Sequence, residues 1–232
     1  MNTKTLFGLS ENEFQSTCMI LPVGLKALLK GFGINKLTDN VPFPSANCEK
    51  CTVIIGKVGA AFVGDIVLAL EQTSCKNIIL LGACGILEET PVLRFGSLVV
   101  PSLSYDLESF SIMLGGPLDN VPNFTKASTA MFKAFTAAHP QIPEVKCATV
   151  GSILLENRYL QFFKKHKIET VDMECSAFFN AGRKTKKNII ALFFVTDIVG
   201  KANGYILWNE EQKKLISQAC VNAVNLVKNF TY

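Results

Sequence analysis

Three acids stand where apolar runs give way to turns. Asp197 closes the run Asn188 to Val195, with Gly200 placed to turn the chain just behind it. Asp172 and Glu174 stand two residues apart in Thr170-Val-Asp-Met-Glu-Cys175, at a strand-to-helix junction. A carboxylic acid kept protonated by apolar surroundings can donate to a leaving group, and a nearby carboxylate can steady positive charge or hold a diol. Each acid taken singly has a plainer reading, as a turn residue or as a helix-starting acid stabilised by the dipole. Glu174 lies between Met173 and Cys175, where an ionised carboxylate needs hydrogen-bond donors, and a ribose diol supplies two.

Two glycine-bearing turns could admit a ligand to the main chain: Gly56-Lys-Val-Gly-Ala-Ala61 and Gly82-Ala-Cys-Gly-Ile-Leu87. Either could equally be a tight turn that needs small residues for packing. Neither fits GxGxxG or GxxxxGK[ST], which argues against dinucleotide and Walker-type sites. Cys48-Glu-Lys-Cys51 has no second CxxC, and His139 and His166 are far apart, so no metal is expected. The other cysteines lie mostly in apolar runs and read as buried thiols in a reducing compartment.

The elements that must position these acids alternate. Strand-like runs at Thr17–Val23, 51–59, 77–85 and 96–102 are followed by helical patterns or turns. The alternation resumes with Val-Lys-Cys-Ala-Thr-Val-Gly-Ser, a helix over Glu156–His166, a short strand Glu-Thr-Val-Asp-Met, and a helix ending at Gly182. The strand leading to Asp197 and a closing helix over Glu210–Phe230 complete it. Fully apolar strands alternating with helices predict an α/β fold, a single-domain three-layer α/β/α unit over 1–232 around a central mixed β-sheet. Residues 105–123 read as a long irregular loop before a helix over Lys126–Ala138, and residues 1–16 as an N-terminal extension.

Composition excludes other classes. Hydrophobic residues make up 49% and charged ones 18%, which rules out a disordered chain. A net charge of +4, spread over short clusters, lacks the basic stripe of a nucleic-acid binder. No apolar stretch approaches the roughly 20 residues of a membrane span. The N-terminus has no signal-peptide pattern, so a cytoplasmic location is expected.

Five segments in order, Gly-Lys-Val-Gly-Ala-Ala, Leu-Leu-Gly-Ala-Cys-Gly-Ile-Leu, Arg-Phe-Gly-Ser-Leu-Val-Val-Pro, Val-Asp-Met-Glu-Cys-Ser-Ala-Phe-Phe and Phe-Phe-Val-Thr-Asp-Ile-Val-Gly, resemble the nucleoside phosphorylase and nucleosidase superfamily. The resemblance runs from about Thr17 to the C-terminus and is nearest to its hydrolytic members, methylthioadenosine/S-adenosylhomocysteine nucleosidase and futalosine hydrolase. It implies that Glu174 holds the ribose hydroxyls, that Met173 packs on the sugar, and that Asp197 protonates N7 of a departing purine. It also places Val171, Ala83, Cys84, Gly85, Gly151, Ser152 and Thr196 around the substrate.

Phosphorylases of this superfamily hold phosphate with arginines, one of them shortly before the second segment's glycines; here that stretch is Ile78-Ile-Leu-Leu-Gly82. The only arginines are Arg94, Arg158 and Arg183, so water is the expected nucleophile. Val199-Gly200 and Trp208 after Asp197 resemble futalosine hydrolases, whereas an aspartate in that place is nucleosidase-like. The implied substrate is aminodeoxyfutalosine, futalosine or methylthioadenosine, with a menaquinone-pathway role implied by the first two. One departure stands out: nucleosidases carry a water-activating glutamate soon after the first strand, and Pro22-Val-Gly-Leu-Lys-Ala27 has no acid. Glu11 is the substitute if the first strand is Thr5 to Leu9. A second departure puts Phe193 or Phe194 where relatives commonly carry an arginine. The resemblance further implies a homodimer and no cofactor. The competing expectations are a non-catalytic nucleoside-binding protein on the same fold and a phosphate-dependent phosphorylase.

Overall fold

A computed structural model describes residues 2–109, 124–201 and 208–230. The chain runs α1 (Thr3–Phe7), β1 (Thr17–Leu21), α2 (Lys26–Phe32), β2 (Ser45–Asn47), β3 (Thr52–Ile55), α3 (Ala60–Ala69), β4 (Asn77–Ile86) and β5 (Leu98–Leu107). There follow β6 (Phe124–Lys126), α4 (Thr129–Ala138), β7 (Glu144–Val150), α5 (Leu160–His166), β8 (Thr170–Asp172), α6 (Cys175–Thr185), β9 (Asn188–Ile198) and α7 (Glu210–Asn229). Short 3₁₀ turns lie at Glu11–Glu13 and Ile153–Tyr159.

The continuous apolar strands are explained by burial on both faces. Along β9, Ile189, Ala191, Phe193 and Val195 join one core with α3 and α6, while Ile190, Leu192 and Phe194 join another with α2, α4 and α7. β1 and β4 divide the same way, with Cys18, Ile20, Ile78 and Leu80 on the first side and Met19, Leu21, Ile79 and Leu81 on the second. Because successive side chains point to opposite faces, strands with both faces covered read as unbroken hydrophobic runs. The three-layer α/β/α arrangement expected from the sequence is therefore the one formed.

The sheet is mixed and partly closed. β4 pairs in parallel with β1 and β9 and antiparallel with β8 at Gly85–Val171. β9 also pairs antiparallel with β5, β5 runs parallel to β7, and β7 parallel to β8. Thus β4, β9, β5, β7 and β8 form a ring that shuts at the carboxyl end of β4. That closure gathers the ends of β4, β7, β8 and β9 around one space.

The structure adjusts several expected boundaries. β5 runs on to Leu107, so Tyr105–Leu107 is strand; residues 110–123 of the expected loop lie outside the described residues. The expected helix from Lys126 begins at Thr129, because Phe124–Lys126 pairs with Leu103–Tyr105 as β6. Glu156–His166 divides into a 3₁₀ turn and α5. Thr5–Leu9 is not a strand: Thr3–Phe7 is helical, capped by the Asn2 side chain and by Gly8 in the left-handed conformation. Residues 2–16 are not loosely attached, since Leu6, Phe7 and Phe14 are buried in the first core and Phe7 stacks edge-on against Phe14. Among the described residues no helix is long and apolar enough to cross a membrane.

Candidate active site

β4 and β9 run in register from Asn77↔Asn188 to Cys84↔Val195, and the next pair is Gly85↔Asp197. Thr196 is the extra residue of a β-bulge, and such a bulge re-aims the side chain that follows it. The carboxylate of Asp197 is thereby laid over Gly85, where a Cβ would stand 2.6 Å from Oδ2. The Thr196 hydroxyl donates to Asp197 Oδ1 at 2.7 Å. Burial pushes the Asp197 carboxyl above the usual range, and the Thr196 hydrogen bond opposes this only in part. Behind it Gly200 turns with φ 81°, as its place in the sequence suggests. Gly85→Ala should displace Asp197 and lower turnover at least about tenfold, with circular dichroism unchanged, because the clash is with a side-chain tip.

The two acids near α6 divide their work. Asp172 is buried, and its Oδ2 accepts from the main-chain N–H groups of Glu174 (2.9 Å) and Cys175 (2.6 Å). Its Oδ1 accepts from the Thr149 hydroxyl at 2.6 Å, and Thr149 Oγ1 in turn accepts from Ser176 N. These bonds make Asp172 the anchor that fixes the start of α6. Glu174 is left at the first position before the helix, and its Oε1 accepts from Gly59 N at 2.6 Å. Gly59 has φ 122°, a conformation that side-chain-bearing residues rarely adopt, so the Gly-Lys-Val-Gly turn needs this glycine to aim its N–H at Glu174. Burial and the neighbouring Asp172 charge push the Glu174 carboxyl well up, while the Gly59 bond pulls it back. Burial likewise raises Asp172.

These acids face one cavity of about 370 Å³. Val171, Met173 and Glu174 line it from the β8–α6 junction, Ala83, Cys84 and Gly85 from β4, and Thr196 and Asp197 from β9. Pro22, Val23, Leu25 and Trp208 add an apolar wall. β4 stands between β9 and β8, so Asp197 and the β8 end are two strand spacings apart, about 9–10 Å.

Three expected site residues are not brought there. Gly151 and Ser152 lie outside the lining; Val150 at the end of β7 and Ile153 at the start of the following turn line it instead. Glu11 lines a separate depression with Thr3, Leu6, Pro42 and Asp65. Its 3₁₀ turn is closed outward by a Ser10–Glu13 capping box and tied through Glu11 O to Ser74 N, so it cannot reach the cavity. The segment after the true first strand, Pro22 to Leu25, does line the cavity and carries no acid.

Sequence reasoning missed one acid. Glu156 is buried on the Ile153–Tyr159 turn and lines the cavity. Burial and then the Asp197 charge raise its carboxyl, against a hydrogen bond from the Gly200 main chain. It lay inside a stretch read as an ordinary helix, and no local pattern marks it.

The described lining therefore holds four carboxyl groups, at Glu156, Asp172, Glu174 and Asp197, and no Lys, Arg or His. The residues outside the described segments contain none of these types either. Arg94, Arg158 and Arg183 are all exposed, away from this lining. No group of three or more His, Cys, Asp or Glu poised to hold a metal occurs among the described residues.

Fold and cavity together define an α/β protein whose ligand-sized cavity lies beyond the carboxyl ends of its strands. The chain belongs to the phosphorylase superfamily, whose model matches residues 44–231. Uridine phosphorylase of Vibrio fischeri is similar over 99% of both chains, with 17% identity and a TM-score of 0.78. Futalosine hydrolase of Helicobacter pylori is similar at 13% identity and a TM-score of 0.71, over 92% of this chain and 97% of its own. A 5'-methylthioadenosine/S-adenosylhomocysteine nucleosidase of the same organism, an aspartate-to-asparagine mutant with 5'-methylthioadenosine in the active site, is similar at 12% identity. Its TM-score is 0.72, over 92% of this chain and 96% of that one. No curated protein matches by sequence.

Proposed function

We propose that this protein is a hydrolytic purine nucleosidase, in which Asp197 acts as the acid on the leaving base and Glu174 holds the ribose diol. The observation that carries the choice of water over phosphate is the cation-free cavity. A phosphate entering it would lose its hydration, meet four carboxyl groups and find no guanidinium or ammonium in this chain's lining. Cleaving the N-glycosidic bond builds positive charge on the sugar and negative charge on the base, and Glu174 and Asp197 are placed to offset one each.

The same electrostatics bear on the 5' substituent. Futalosine and aminodeoxyfutalosine carry a benzoate there, and that anion would lie in an acidic cavity without a counter-ion. The wall of Pro22, Val23, Leu25 and Trp208 suits an uncharged apolar group, so a methylthioadenosine-type substrate is the better fit. The test is chromatography of released base from methylthioadenosine, adenosine, futalosine and aminodeoxyfutalosine, each with and without phosphate. Phosphate-independent adenine release, fastest from methylthioadenosine, is expected. Release that requires phosphate and yields a sugar 1-phosphate would make the protein a phosphorylase instead.

A second reading rests on the absence of an acid between Pro22 and Leu25: a nucleoside-binding protein without turnover. It predicts calorimetric binding of methylthioadenosine and no base released on prolonged incubation.

A further inference from the structure

Glu156 has no part in the chemistry described so far, yet its setting places it beside Asp197. The turn that carries it packs on the turn that follows Asp197, since a Cβ at Gly200 would stand 2.9 Å from Asn157 Oδ1, and Glu156 lines the cavity that Asp197 lines. Glu174 is tied elsewhere, to Gly59 and to the Asp172 anchor. Glu156 therefore belongs to the Asp197 end of the cavity.

Two carboxyl groups at one end of a cavity without cations do not both ionise readily, and a base whose N7 accepts from Asp197 fixes the proton there, leaving Glu156 ionised. Such a pair presents one donor and one acceptor at the same end of the cavity. Adenine offers the complement along one edge, the N7 acceptor beside the N6 amino donor, whereas a 6-oxopurine offers two acceptors, N7 and O6. With Asp197 donating to N7, a carboxylate at the neighbouring position accepts from an amino group and repels a carbonyl oxygen.

We infer that Glu156 reads the base and selects a 6-aminopurine over a 6-oxopurine; the inference rests on the nucleosidase reading of the cavity. A site built to accept from an amino group leaves its buried carboxylate unpaired when the analogue lacks that group, and discrimination follows from that cost.

The experiment is calorimetric binding of adenine and hypoxanthine to the wild-type chain and to Glu156→Gln and Glu156→Asp, with melting curves for each. Binding of free bases does not require turnover. The wild type is expected to favour adenine by at least about tenfold. Glu156→Gln, whose amide can donate to O6, should bring the two bases within about threefold, while Glu156→Asp keeps the preference for adenine because it keeps the carboxylate. A wild type that favours adenine together with a Glu156→Gln that preserves the same ratio overturns the role of Glu156 and leaves the nucleosidase reading standing. A wild type that favours hypoxanthine also overturns it. Binding of neither base by a folded wild type overturns both.

Discussion

Asp197→Asn is expected to lower base release by about 10²- to 10⁴-fold, the range a positioned acid contributes. The amide keeps the shape that fits over Gly85 and still donates a hydrogen bond to N7, but it has no proton to transfer. Substrate binding should therefore weaken far less than turnover falls, and melting should be nearly unchanged. The pH profile supplies the second readout. Burial raises the Asp197 carboxyl, so its protonated form persists to higher pH than that of a free aspartate, and turnover falls as pH rises through that raised value. The variant should lose this alkaline limb along with most of its rate. Wild-type turnover in Asp197→Asn would remove Asp197 from the acid's role.

Glu174→Gln is expected to lower kcat/KM roughly 10²-fold when assayed above the raised Glu174 value of about 8, where the charged carboxylate accepts two hydrogen bonds from a ribose diol at about 1.5 kcal/mol each. The same change should stabilise the fold. The folded Glu174 carboxyl titrates above its ordinary value of 4.5, so the native state keeps a proton that the unfolded chain releases. That contribution to stability is whole below the unfolded value and is lost as pH rises through the folded one. Glutamine removes the loss. Its melting temperature should exceed that of the wild type, by a margin that widens from about pH 5 to about pH 8. A lower melting temperature at every pH would mean that the Gly59 hydrogen bond depends on the charge and outweighs the burial it offsets. Activity and stability thus oppose each other at this position, as they commonly do in binding sites.

The layered fold was legible because its signal is local and repeated. Strands buried on both faces must be apolar at every position, and Ile189–Val195, Ile78–Leu81 and Cys18–Leu21 say so without reference to anything distant. Short elements with mixed composition were not legible. Ser45–Asn47 and Phe124–Lys126 are strands only because Thr52–Ile55 and Leu103–Tyr105 lie beside them. Thr3–Phe7, too brief to declare itself, takes its helical form with an Asn2 cap and a buried Phe7.

At the site the same division holds. The sequence alone determined that Asp197 and Glu174 end apolar segments, that glycines stand where main chain and side chains come close, and that no arginine accompanies the second segment. These are properties of residue type and of neighbours in the chain. Only the tertiary structure decided that a bulge at Thr196 lays Asp197 over Gly85, that Asp172 spends its carboxylate anchoring a helix while Glu174 faces the cavity, that Glu11 lies in another depression, and that Glu156 joins Asp197. Each of those outcomes depends on which strand pairs with which and on whose charge is buried beside whose, and pairing and burial are relations between residues distant in sequence.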